Sequence, residues 1–199
     1  SIEQKTVSKS PRSTVGTITE LYAFFRLLFS RVSTAYSSET GEKMVKYSEE
    51  QLAELLKTTY QDEKVAVLAS KVRARKGHYR ELFEQISKIG YTKVRVDGQI
   101  VDISPGMKLD RYKVHDIEVV IDRFAVKDVD LNRIQKSVNT AFEIGDDFLV
   151  IFNYQTKEIR KFSRKFICPT TGISYPDPEP NLFSFNSPYG ACPSCSGIG

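Results

Sequence analysis

The dipeptide Asp97-Gly98 divides two short segments of alternating character, Thr92–Asp97 and Gln99–Ile103. No other feature constrains the fold of this chain as much. A two-residue hairpin turn of type I′ needs positive φ at both central positions, and Asp-Gly supplies it at low cost. The two segments are therefore expected to pair as antiparallel strands. Strand alternation sends Val94 and Val96 to one face and Lys93, Arg95 and Asp97 to the other. Phe148–Tyr154 and Glu158–Phe162 read as a second hairpin, and Lys64–Ala69 and the β-branched run Asp116–Val126 read as further strands.

Helical signals alternate with these strands. Thr17 and Glu20 match a capping box, followed by Leu21, Phe24, Phe25 and Leu28 at the spacing of one buried helical face. The stretch Ser33–Gly41 breaks that pattern. Ser48 with Gln51 repeats the capping signature and starts a helix to about Thr58. Tyr79–Lys88 reads as a helix stopped by Gly90, and Asp130 caps one that runs to about Ile144 and ends at Gly145. Hairpins among helices give an α+β fold class: a mixed, largely antiparallel sheet with flanking helices. After Phe166 the composition shifts, since six of the eight prolines lie between Pro169 and Pro193. An irregular Cys/Pro/Gly-rich C-terminal segment is expected there, which places a boundary near Lys165.

At 199 residues with 40% hydrophobic content, the chain can bury a substantial core. No run of about 18 apolar residues appears, so a membrane span is not expected. The longest candidate, Leu21–Phe29, is interrupted by Arg26. Three cysteines argue against a disulfide framework and fit a cytoplasmic location. The net charge of +4 is unevenly spread, with nine basic residues against two acidic ones between Lys64 and Arg95. Such a field attracts phosphates or an acidic protein surface, unless it is simply a solvated face. Within it, Arg73, Arg75 and Lys76 form a loop able to touch a nucleic-acid backbone, but without interleaved aromatics to stack bases. Arg123, at the end of an apolar strand run, offers a planar bidentate donor or pairs with Asp122 or Asp116.

No G-x-x-x-x-G-K-[ST] loop and no G-x-S-x-G elbow occurs, and His78 and His115 have no evident nucleophile partner. The chain by itself is not expected to be an enzyme. Cys192 and Cys195 form a C-x-x-C pair, and Cys168-Pro169-Thr170-Thr171-Gly172 looks like half of a second one. Four thiolates converging on a tetrahedral ion would make a zinc site. With three, and Thr171 a poor substitute, a metal-free remnant is the favoured reading over a zinc site at Cys168, Cys192 and Cys195.

Several segments together resemble the bacterial nucleotide-excision-repair UvrA family. They are Gln4-Lys5, Pro11–Thr17 and Arg26–Phe29, then Arg75–Gly77, Val94–Gly98 and His115–Arg123, and finally Leu182–Gly199 with its C-P-x-C-x-G-x-G ending. The resemblance covers nearly the whole chain in order. It implies an internal piece of a longer ATPase. Residues 1–41 would lead out of the first nucleotide-binding domain, 42–165 would be an insertion that binds the partner UvrB, and 166–199 would be a degenerate zinc-knuckle segment. It further implies that Lys93 and Arg123, with Arg95 nearby, make the contact to UvrB, and that Gln4 senses nucleotide. Family members usually carry a complete C-P-x-C-G where Cys168 stands and often a further cysteine pair after Val32, which this chain lacks. The fragment itself is expected to carry no cofactor. For the longer protein, ATP, zinc, DNA and a second UvrA subunit are implied. A direct DNA-backbone-binding module is the alternative to UvrB docking.

Overall fold

A computed structural model describes residues 14–196, which divide into two compact units, residues 36–175 and residues 14–35 with 176–196. Gln4 lies outside the described residues. The larger unit holds a six-stranded sheet built from β1 (Lys64–Lys76), β2 (Lys93–Val96), β3 (Gln99–Asp102), β4 (Val114–Ala125), β5 (Phe148–Asn153) and β6 (Ile159–Ser163). Its order is β3-β2-β4-β1-β5-β6, with every neighbouring pair antiparallel. The α+β class with an antiparallel sheet is thus the observed one.

The smaller unit contains α1 (Val15–Ile18) and α2 (Leu21–Val32). Within the larger unit, α3 (Glu49–Thr59), α4 (Arg80–Lys88) and α5 (Leu131–Ile144) all cover one face of the sheet. Alternate strand residues meet them there: Val65, Val67 and Ala69 of β1, Ile117 and Val119 of β4, Leu149 and Ile151 of β5. Leu52 and Leu56 of α3, Phe83 of α4 and Phe142 of α5 complete a core from which water is excluded. The caps that start these helices follow the sequence closely. Ser48 and Gln51 exchange side-chain and backbone bonds at α3, and Asp130 accepts the Arg133 N–H at α5.

Three expectations need correction. β1 does not end at Ala69 but continues to Lys76, absorbing irregularities at Ser70/Val72 and Val72/Arg75. Arg73, Arg75 and Lys76 therefore sit on a strand, with Ala74 in left-handed geometry (φ 48°), where its N–H donates to the Asp116 carboxylate. Thr17 does not open the long helix, because it is the third residue of the one-turn α1, capped reciprocally by Thr14. Glu20, at φ 62°, then separates α1 from α2. Nor is the apolar face of α2 buried. Phe24 is 69% exposed and Leu21, Phe25 and Leu28 about half exposed, since the residues packed on it within its unit are few, chiefly Phe183 and Phe185.

The β2–β3 hairpin has the geometry that Asp97-Gly98 demands, with φ of 48° and 92°. His115 holds it in place. The ring, only 5% exposed, has Nδ1 2.7 Å from the Asp97 carboxylate and Nε2 2.8 Å from the Asp110 carbonyl. Asp97 also accepts the Asp116 N–H. Two acceptors around one imidazole favour the doubly protonated ring, and the Asp97 bond, then that to Asp110, raises the His115 pKa. Burial pushes the Asp97 carboxyl up, but its bonds to His115 and the Asp116 N–H outweigh this and lower it.

A Cβ at Gly145 would lie 2.0 Å from the Phe148 carbonyl oxygen and 2.9 Å from the Ser70 nitrogen, so Gly145→Ala is expected to lower stability. The loss should be about 1–3 kcal/mol or more, read as a lower urea midpoint. His115 should make stability pH-dependent. A raised folded-state pKa stabilises fully below the unfolded value of about 6.5 and loses that contribution as pH rises through the folded value. The urea midpoints of the parent and His115→Asn should therefore converge as pH is raised from about 6 towards 9, and parallel curves would remove the charge from the argument.

Candidate partner-binding surface

Among the described residues of the larger unit, no helix lies on the second face of the sheet. Ala66, Leu68, Val120, Val150 and Phe152 form a thin apolar layer there, flanked by Ile100 and Tyr154. These residues stay dry because long polar side chains lie across them. The Arg95 guanidinium is 5.7 Å from the Phe152 ring centre, and the Lys157 ammonium stands 5.9 Å from the same ring and 5.8 Å from that of Tyr154. Such cations contribute by stem packing as well as by attraction to the ring.

Lys93, Arg95 and Arg123 all belong to this face, and their states differ. Lys93 forms an ion pair with Asp102 across the β2–β3 ladder. Arg95 donates to Glu118 on β4 at 3.1 Å, with side-chain exposures of 11% and 7%. Burial raises the Glu118 pKa, against the pull of Arg95. Arg95 Nε and Glu118 Oε2 are both buried without a hydrogen-bond partner. Removing one member of such a pair typically costs about 3–5 kcal/mol, because the other charge is stranded. Arg95 is thus tied to its own sheet. Arg123 is exposed and stands opposite Ala66 in the ladder, between Phe124 and Asp122. The Asp122 side chain is held by Arg133 at 3.0 Å and Ser137 at 2.7 Å, and that of Asp116 accepts from Ala74. Both carboxylates expected as partners of Arg123 are committed elsewhere, so its guanidinium has no ion pair among the described residues.

Arg73 lies over the Phe148 ring at 3.7 Å, and burial, followed by the nearby charge of Arg75, lowers its pKa. Lys157 and Lys161 belong to the same cationic surface, and the sequence alone does not single them out. The only signal for Lys161 is its place beside Phe162 in an alternating strand.

The larger unit closes with a small ribbon of β7 (Phe166–Ile167) and β8 (Ser174–Tyr175). Two turns here share one hydrogen-bond pattern. In the first, Ser37 N–H donates to the Glu42 carbonyl and Gly41 N–H to the Ser37 carbonyl. In the second, Cys168 N–H donates to the Ile173 carbonyl and Gly172 N–H to the Cys168 carbonyl. Gly41 and Gly172 both have positive φ, 69° and 74°. Val45 and Ile167 exchange backbone bonds at the base of this region. The Cys168 thiol is buried, 3.3 Å from the Glu42 carboxylate and 3.5 Å from the Thr40 hydroxyl, with Thr171 also bonded to it. Zinc takes thiolate or imidazole at most corners of a structural site, whereas the groups gathered around Cys168 are two hydroxyls and one carboxylate. Among the described residues no three His, Cys, Asp or Glu side chains converge as a metal site. Cys192 and Cys195 belong to the smaller unit. The residues around Cys168 do not fit four-coordinate zinc.

No helix among the described residues is long and apolar enough to cross a membrane. Residues 48–155 match the UvrA interaction domain family. Over its full length the chain is 45% identical to the UvrABC system protein A of Thermus thermophilus. It is 44% identical to that of Streptococcus pyogenes serotype M1 and 42% identical to that of Lactococcus lactis subsp. lactis, again over the whole chain. It spans about a fifth of the length of these relatives, 21% in each case. With the interaction-domain match covering more than half of its residues, the chain belongs to the UvrA interaction domain family.

Proposed function

We propose that the unit of residues 36–175 is a protein-docking module of a UvrA protein in bacterial nucleotide excision repair, and that it binds UvrB through the helix-free face of its sheet. The observation that carries this reading is the state of Arg123. It is an exposed guanidinium on a strand, beside a thin apolar layer, with both neighbouring carboxylates engaged elsewhere. Such a group is available to a carboxylate of another protein, and a planar bidentate donor suits that partner. Lys93 adds a second positive charge on the same face. It can exchange Asp102, itself largely exposed, for an external carboxylate at little net cost. Arg95 supports the surface from beneath by keeping Glu118 neutralised. In the longer protein we expect docking to couple ATP-driven damage recognition on DNA, by a pair of UvrA subunits, to the loading of UvrB.

The alternative is direct contact of Arg73, Arg75 and Lys76 with a DNA backbone. Arg73 is laid on the Phe148 ring at 3.7 Å, so that ring offers no open face on which a base could stack. Titration against UvrB and against a short duplex at one fixed salt concentration separates the two, since counterion release makes both salt-sensitive.

Reversing charge at Lys93 and Arg123 together, Lys93→Glu with Arg123→Glu, should weaken UvrB binding at least about tenfold while leaving the urea midpoint nearly unchanged. Arg95 is unsuitable for this test, because a reversal there would set two carboxylates against each other in a dry site. Unchanged affinity in a folded double variant would exclude this face as the contact.

A further inference from the structure

A groove of about 920 Å³ runs along the helix-free face away from Arg123, and it has a one-sided supply of uncommitted charge. Its floor is made by Ser70, Glu118 and Val150. One wall is the irregular end of β1, with Lys71, Arg73 and Arg75. The other is Lys161 of β6 with the turn Thr171–Ser174, where the Lys161 stem lies directly against Gly172. The acidic residues that reach this groove are mostly spent internally. Asp97 is bound by His115 and the Asp116 N–H, Asp116 by the Ala74 N–H, and Glu118 by Arg95. Asp146 is the remaining carboxylate, and its charge acts on Arg73. Lys71, Arg73, Arg75 and Lys161 have no ion pair among the described residues. The charge of Arg75 is also close enough to disfavour that of Arg73. Ile159 and Ile173 add apolar surface to the lining.

We propose that this groove receives an extended acidic segment of a protein partner, with carboxylates set between Arg73/Arg75 and Lys161 and alternate apolar side chains turned to Ile159 and Ile173. An extended chain presents side chains alternately to two sides, which matches cationic walls with apolar patches beside them. Nucleic acid fits less well. Single strands are held by bases stacked on open aromatic faces, and the Phe148 face is covered by Arg73. A duplex can meet the tip of β1 at Arg75 and Lys76 but not the floor. The site is separate from the surface around Arg123 and does not depend on that surface binding UvrB.

The test is fluorescence anisotropy of the 199-residue chain with a short fluorescein-labelled peptide of alternating Glu and Val. The same peptide with Lys for Glu, and an oligothymidylate of equal charge, serve as comparisons. Saturable binding is expected for the acidic peptide, and Arg73→Glu with Arg75→Glu should weaken it at least about tenfold. Lys161→Glu should weaken it several-fold, whereas Lys93→Glu with Arg123→Glu should change it by less than about twofold, so failure here and failure of the UvrB contact are read independently. If the Arg73/Arg75 variant loses its circular dichroism signature, Lys161→Glu decides the matter, together with amide-exchange protection of 71–75 and 171–174 by the peptide. Absence of saturable binding, oligothymidylate binding as tight as the peptide, or indifference to Lys161→Glu would each overturn the proposal.

Discussion

Within the larger unit the described helices cover only one side of the six-stranded sheet, and on the other Ala66, Leu68, Val150 and Phe152 lie under side chains of the sheet itself. The Arg95–Glu118 pair is the centre of that arrangement. It joins β2 to β4, lays a guanidinium near Phe152, and holds both charges where little water reaches. A buried pair of this kind is poor evidence for stability in itself, because desolvation offsets most of the attraction. Its effect is specificity. Only the register that sets Arg95 opposite Glu118 avoids stranding a charge, and it also fixes Lys93 on that face, whereas Arg123 is placed there by the β1–β4 ladder. On this face a cation-over-aromatic layer shields the apolar residues while leaving the surface polar, as the proposed docking role requires.

The parts of the fold that were legible in the sequence are those governed by local chemistry. Asp97-Gly98 dictates a turn through φ alone, and Ser48/Gln51 and Asp130 specify helix starts through bonds made within three residues. The parts that were not legible depend on distant partners. β1 outruns its apolar stretch because β4 supplies hydrogen bonds as far as Lys76, and because the Asp116 carboxylate stabilises a left-handed Ala74. Nothing in Ser70–Lys76 taken by itself announces a strand, since four of its seven residues are basic. The α2 face shows the reverse error. Its helical period was plain, but period says which residues could be buried together and nothing about what would cover them.

The candidate surface divides along the same line. Alternation alone placed Lys93 and Arg95 on one face. Whether each is free or engaged was not readable, because Glu118 lies 23 residues from Arg95 in sequence. Arg123 is the sharper case, with Asp122 adjacent in the chain and a natural partner on paper. The strand irregularity between Val67 and Leu68 sets Asp122 opposite Val67, on the helix side, where Arg133 and Ser137 take its oxygens. One extra residue in one strand thus decides that Arg123 keeps an unshared charge.

The paired turns at Ser37–Gly41 and Cys168–Gly172 bring the cysteines under the same rule. Their backbones repeat one hydrogen-bond pattern down to the left-handed glycine. Side-chain hydrogen bonds join the two turns: Cys168 to Glu42, Thr40 to Cys168, and Thr170 to Glu42 at 2.8 Å. The turn Thr171–Ser174 is also one wall of the groove, and the Lys161 stem rests on Gly172. This junction of side-chain hydrogen bonds therefore bears directly on how firmly that wall stands over the sheet.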